Sequence, residues 1–349
     1  MARLTSLTGL SRRTVELILS DLVSEGLVEE VAPVAGGVTG GVGRPPRAYQ
    51  FLAESVLLAA VQIDTASVQA ALTDVRGRIL ARERRELRDY YDPQSSLGQA
   101  VDVMNSVIVT SRRPVSRVRV GGVASGGTMD SQGRVLSLVN APAWVGVSPA
   151  EALSGSFPFP FAGDNDVNLA ALAERAVGAA VGEVDFTWLL AGMRASAGIV
   201  IRGEVHRGFQ GAAGEIVHAP TLGLVSLEDH PLGLLSSPLR AQQEEALATF
   251  QAARAGDPGA QALVDEFVTP VAAVLQTFAW TLAPPVVVLG GAMAEVADVL
   301  VPRLAERLRA AGAPPVRLRP SALGQDWPLL GAIQLARTRA EDELTGAGT

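Results

Sequence analysis

Twice along the chain a group of buried-type strands gives way to alternating helices and strands, and this duplication constrains the fold more than any other feature. In the first half, Leu57 to Ile63 reads as a buried strand and Val68 to Thr73 as a second. Asp74-Val75-Arg76-Gly77 is a turn, and Arg78 to Glu86 a third strand, which together make an antiparallel meander. A helix over Gln94 to Thr110 and the strand Val118 to Val123 follow. The second half closes with a helix over 266–282, the strand Pro285 to Leu289, a Gly290-Gly291 turn and a helix over 293–311. Strands followed by helices in two successive halves imply a duplicated α/β unit with a ligand-accepting cleft between the halves.

The length of 349 residues suggests two or three domains at about 150 residues each. Hydrophobic residues make up 48 % of the chain, enough for sizeable cores, which excludes disorder as the dominant state. No apolar run reaches the roughly 18 residues of a membrane span. The nearest, Leu189 to Ile201, is interrupted by Arg194, and the N-terminus has no apolar signal core. A cytoplasmic protein without membrane partners is the expectation. Without cysteine there is no disulfide framework and no thiolate metal site. The net charge of −7 argues against a wholly basic coat for nucleic acid, but it leaves room for a local DNA-binding face. All 29 basic residues are arginine; beside the abundant alanine and 36 glycines this reads as codon bias.

Ahead of the duplicated unit lies a different pattern. Leu4, Leu7 and Leu10 form a short apolar stripe broken at Gly9. Ser11 stands where an N-cap belongs, and Val15, Ile18, Leu19, Leu22 and Val23 recur at helical spacing until Gly26. Leu27 to Val31 and Tyr49 to Phe51 read as the two strands of a hairpin, joined by a Gly/Pro loop. This order is that of a winged helix-turn-helix over residues 1–52. Ser11, Arg12, Arg13 and Thr14 in the first turn of the recognition helix, with Arg44 and Arg47 in the loop, are the candidate DNA contacts. A three-helix module needs a helix before Leu4. The chain begins too late to supply it, so a neighbouring domain, a dimer partner or an upstream segment is expected to complete the core.

Six ordered motifs resemble those of the ROK family (repressor, open reading frame, kinase), in its regulator branch with an N-terminal winged helix. They are Ser125-Gly126-Gly127, Asn140-Ala141-Pro142-Ala143-Trp144, Asp164-Asn165-Asp166-Val167-Asn168, Gly211 to His218, Val288-Leu289-Gly290-Gly291, and Pro320-Ser321-Ala322-Leu323-Gly324. The resemblance implies a two-lobed actin-like (ribonuclease-H-like) sugar-kinase fold. The first lobe would span 53–164 and the second 165–349, with the C-terminal helix returning to the first. It also implies a sugar in the cleft, met by Gly127, Thr128, Asn140, Asn165, Asp166, Glu215 and His218. Carboxylates and amides suit a ring of hydroxyls. In the family's kinases the aspartate at Asp166 is the base; the residues alone favour a helix N-cap at Asp166 with Asn165 in the turn, and the resemblance shifts the reading to a ligand role.

The departures from the family bear on mechanism. Its zinc site of one histidine and three cysteines cannot form, because Pro220 to Pro231 replaces the cysteine segment. Val217 replaces a glycine, and Gly233 stands where the family supplies a further sugar-binding glutamate. The first phosphate loop, Ile63 to Val68, has no glycine. The second reads Gly192-Met193-Arg194-Ala195-Ser196, which puts side chains where phosphates would lie. These features imply a homo-oligomeric DNA-binding repressor with a degenerate, sugar-sensing kinase domain, no enzymatic activity, no metal and no cofactor. An ATP-dependent sugar kinase and a regulator that has lost sugar binding are the alternatives.

Overall fold

The computed structural model describes residues 2–31 and 47–345. Two five-stranded sheets dominate it, and they share one strand order. In the first, Ile79–Glu86, Ser67–Asp74 and Leu57–Ile63 run antiparallel, and Val118–Ser125 and Phe161–Asn165 then add parallel to Leu57–Ile63. In the second, Glu204–Val205, Ser196–Ile201 and Phe186–Leu190 are antiparallel, and Val286–Leu289 and Arg317–Pro320 add in parallel. The central strands Leu57–Ile63 and Phe186–Leu190 are buried along their whole length, the signature of strands covered on both faces.

Each sheet packs against its own helices. In the first lobe Val103, Met104 and Val107, on the helix Pro93–Ser111, join Trp144 and the stacked Phe157, Phe159 and Phe161 in one core. In the second, Val264, Phe267, Val271 and Leu275 on the helix Pro258–Thr281 meet Val287, Leu289 and Leu300. This helix starts earlier than the expected 266, because the Asp257 side chain caps it by accepting from the Ala260 N–H and Pro258 fills its first turn. At 24 residues and a mean hydropathy of 1.3, it is also long and apolar enough to cross a membrane by composition alone. That corrects the expectation that no segment would be; its apolar stripe instead fills the second core.

The expected helix over 293–311 is likewise redrawn. Gly291–Val296 forms a 3-10 turn, and the α-helix runs from Ala297 to Ala310. The cause is Trp188: a Cβ at Gly290 would lie 2.0 Å from its ring, so the backbone passes flat over the indole before it can coil.

Two helices lie between the lobes. Asp166–Val177 presents Val167 and Ala171 to the second sheet at Gly198 and Leu169 to Gly331 on the final helix, Trp327–Thr345. That final helix lays Ala332 on Gly122 of the first sheet.

The N-terminal segment is two helices, Ala2–Thr8 and Arg12–Ser24, joined at Gly9 (φ 68°), then an antiparallel ribbon of Val28–Val31 with Ala48–Phe51. The Ser11 side chain caps the second helix by accepting from the Thr14 N–H, and Gly26 at φ 69° follows its end. Ser11 is the N-cap, as its place in the sequence predicts, and Glu25 is the C-cap. Only Val15 and Leu19 of this helix are buried.

A candidate ligand-binding cleft between the lobes

Strand ends and loops of both lobes converge on a cavity of about 550 Å³. From the first lobe come Asp64, Tyr90, Gly127, Thr128, Asn140, Asn165 and Asp166; from the second come Arg194, Glu215, Val217, His218 and Glu228. The seven ligand candidates named from sequence are therefore brought together, although they span residues 127 to 218 of the chain. Asn140 and His218 lie at the exposed rim, whereas Thr128 and Asn165 are buried.

Asn165 is held by its own hydrogen bonds. Its Oδ1 accepts from the Val167 and Asn168 N–H groups at 2.9 and 3.1 Å, and its Nδ2 donates to the Gly127 carbonyl at 2.9 Å. Asn165, not Asp166, is thus the N-cap, which corrects the sequence alternative; Asp166 is the first residue of the helix. The same side chain fixes the Gly126-Gly127 turn, where Gly127 takes φ 93° and a Cβ would sit 2.7 Å from the Ser137 carbonyl. Beneath it, the buried Asp164 accepts two bonds from Arg207 and so ties the second lobe's loop to the first lobe's edge strand.

Asp166 Oδ1 accepts from the Val167 N–H at 2.8 Å. Burial pushes its carboxyl up to about 7, against the pull of Arg194 and with help from Asp64 and Glu215. Glu215 is also raised by burial, opposed by His218 and by the Ser196 hydroxyl. Its loop is set by Gly214, whose φ is 91° and whose Cβ would fall 1.8 Å from the Ala197 carbonyl. Ala197 donates its N–H to the Gly214 carbonyl at 2.8 Å, so the loop is docked on the second sheet.

In both turns at the phosphate-loop positions, some backbone amides are engaged within the protein. Thr65 N–H donates to Asp64 Oδ1 at 2.7 Å. Met193 N–H donates to the Gly233 carbonyl at 2.8 Å, and Arg194 N–H to Ser236 Oγ at 2.7 Å. The Arg194 side chain reaches back across the cleft, with Nε on the Ser236 carbonyl at 2.7 Å and Nη1 3.3 Å from Asp64 Oδ1.

Tyr90 and Glu228 are among the lining residues that sequence reading did not name. Tyr90 is placed by Trp144, whose indole N–H donates to the Tyr90 carbonyl at 2.7 Å and whose ring centroid lies 5.5 Å from the phenol ring. Glu228 supplies a carboxylate to the cavity, whereas Gly233 is buried beneath the Leu227 carbonyl, where a Cβ would come within 2.0 Å. The leucine before Glu228 was the available signal: buried Leu227 alternating with exposed Glu228 aims the acid outward. Among the described residues no cluster of three or more histidine or acidic side chains could hold a metal.

Of the candidate DNA contacts, Ser11, Arg12, Arg13 and Thr14 lie at the start of the second helix and Arg47 immediately before the second ribbon strand. Arg12 Nε pairs with Glu16 at 2.9 Å, Ser11 and Thr14 hydroxyls share a 2.8 Å bond, and Arg47 lies 3.6 Å from Glu30 across the ribbon. Arg13 is exposed, and Arg44 lies outside the described residues.

The sequence profile of the ROK family matches residues 58–230 and 233–339. The chain belongs to the ROK family. Among curated relatives it is 22 % identical over 218 residues to a xylose repressor of Bacillus subtilis, a match over 62 % of this chain and 55 % of that protein. It is 26 % identical over 206 residues to a glucokinase of Halalkalibacterium halodurans, over 50 % of this chain and 62 % of that one. The matched region thus spans little more than half the length of these ROK relatives. Among solved structures, a ROK-family transcriptional regulator described as a homolog of the E. coli MLC protein superposes over 96 % of this chain and 91 % of its own, at a TM-score of 0.72 and 19 % identity. A ROK hexokinase from Thermus thermophilus does so over 82 % of this chain and all of its own, at 0.65 and 25 %. The mixed α/β, sugar-kinase-like fold is the family's own.

Proposed function

We propose that this ROK protein is a DNA-binding transcriptional repressor whose kinase-like cleft senses a sugar or sugar derivative. The observation that carries the reading is the pairing of a helix-turn-helix and ribbon at the N-terminus with a cleft in which amides at the second phosphate-loop position bond within the protein. Met193 and Arg194 give their N–H groups to Gly233 and Ser236, which takes two donors away from a nucleotide phosphate. Polyhydroxyl ligands, by contrast, find acceptors in Asp166 and Glu215 and a mixed group in His218. The match to xylose repressors and the superposition on a ROK regulator support the same reading.

In this scheme the N-terminal segment is a winged helix, with Ser11 capping the recognition helix and Arg12, Arg13 and Arg47 meeting phosphates or base edges. Arg44 would join them from the ribbon loop. A homodimer presents two such modules to a two-fold operator in the cytoplasm. Ligand shifts their spacing only to the extent that it binds the closed and open clefts with different affinity. The test is selection of genomic DNA fragments by the purified protein at fixed salt, repeated with a panel of sugars. Recovery of a symmetric site whose occupancy changes with one sugar supports the reading, and recovery of nothing above background refutes DNA binding.

A sugar kinase is the second reading, favoured by one observation: Asp166 is a half-buried carboxyl, raised by desolvation to about 7, in the first turn of a helix, as a general base would be. ADP release from ATP with any hexose would establish it. Val217 and Gly233, at positions where the family carries ligand-facing glycine and glutamate, favour a regulator without sugar control, which absent thermal stabilisation by every sugar would establish.

A further inference from the structure

We infer that the ligand of this cleft is an anionic sugar, one bearing a carboxylate or a phosphate, and that Arg194 receives the anionic group. The inference rests on the sugar-sensing reading and narrows it to a chemical class.

Arg194 is the one arginine lining the cavity among the described residues, in a chain without lysine. Its stem is fixed and its tip is open. The backbone N–H is held by Ser236 Oγ and the Nε by the Ser236 carbonyl, each at 2.7 Å, so the guanidinium is aimed before any ligand arrives. Nη1 makes one long contact, 3.3 Å, with Asp64, and Nη2 makes no hydrogen bond among the described residues. Arg207 shows what a satisfied arginine looks like in the same protein: its Nε and Nη2 both close on Asp164 Oδ2. A planar guanidinium with unused donors, locked by its own backbone at a cleft floor, is built for a planar or tetrahedral oxyanion.

Of the acids that line the cavity, Asp64, Asp166, Glu215 and Glu228, Asp64 alone is paired with Arg194 among the described residues. Asp64 Oδ1 already accepts from the Thr65 N–H and hydroxyl, at 2.7 and 3.3 Å, which spreads its charge. Asp166 and Glu215 are both pushed toward their neutral forms by burial, and a neutral carboxyl donates a hydrogen bond to an anion where a carboxylate would repel it. The sugar ring would then lie over Asp166, Glu215 and His218, with its acidic substituent toward Arg194 and Asp64.

The test is titration of the full chain, by calorimetry and thermal shift at fixed ionic strength, with glucuronate, galacturonate and glucose 6-phosphate against glucose and galactose. Acetate and inorganic phosphate serve as anions without a ring. The expected result is at least tenfold tighter binding of one charged sugar than of its neutral parent. The acids and the phosphate separate the two sources of charge. In Arg194→Gln that preference falls below threefold, and Arg194→Lys, which keeps the charge but not the fork, falls between. Three results overturn the inference while leaving a sugar site in place: equal or tighter binding of the neutral parent, a preference that survives in Arg194→Gln, or an equal response to acetate or phosphate alone. If no sugar of either kind binds, the sensing reading itself falls, and this inference with it.

Discussion

Gly122 and Ala332 touch backbone to backbone: a Cβ at Gly122 would lie 2.0 Å from the Ala332 carbonyl oxygen. The strand Val118–Ser125 of the first lobe and the last helix of the chain are thereby seated at a distance that only glycine permits. Gly122→Ala is expected to push the helix off the sheet and cost about 1–3 kcal/mol, the usual penalty for overpacking, read as a lower melting temperature with unchanged secondary structure. An unaltered melting curve would show that the helix is not seated there.

Asn165→Ala removes the cap of the helix Asp166–Val177 and the bond to the Gly127 carbonyl together. A loss of about 1–2 kcal/mol in stability is expected from the cap alone. Asn165→Asp keeps the acceptor and should recover most of it, although it loses the Nδ2 donor. Chemical denaturation of the three proteins measures this directly.

Asp166 gives a pH signature. Its carboxyl is raised in the folded state, to about 7 from an ordinary 3.8, so the folded protein holds a proton that the unfolded chain releases. Stability from this group is complete below about pH 4 and is lost as pH rises through 7. Facing it are Asp64, Tyr90, Arg194 and Glu215, with His218 behind Glu215. Asp166→Asn should flatten that decline and stabilise the protein at pH 8 by a few kcal/mol at most. Melting curves from pH 5 to 8 test it, and parallel profiles for the two proteins would refute it.

Arg12→Ala with Arg13→Ala is expected to abolish operator binding and to leave thermal stability nearly unchanged, since Arg12 is bound only to Glu16 at an exposed site and Arg13 is exposed. Electrophoretic or fluorescence titration against a selected DNA site decides. Undiminished affinity would remove the recognition role from this helix.

The elements that sequence conveyed well are those decided locally. The meander Leu57 to Glu86 follows from apolar alternation broken by the Asp74-Gly77 turn, and the Ser11 cap from one hydroxyl before a periodic stripe. What could not be read depends on partners far along the chain. The delay of the helix after Gly290 needs Trp188, and the aim of Arg194 needs Ser236. Tyr90 becomes part of the cleft only because Trp144 holds it. Glu228 was hidden for a similar reason: alignment by motif pointed to Gly233, while the fold brought a nearby exposed acid to the lining of the cavity.

The polypeptide passes between its lobes at two places, through the helix Asp166–Val177 and again through Trp327–Thr345, and these two crossings lean on each other where Leu169 meets Gly331. Two pins side by side leave a door one way to swing. In the proposed scheme, whatever enters the cleft would be reported to the rest of the molecule as a single angle, so such a sensor would measure how far it is shut and carry no separate record of what shut it.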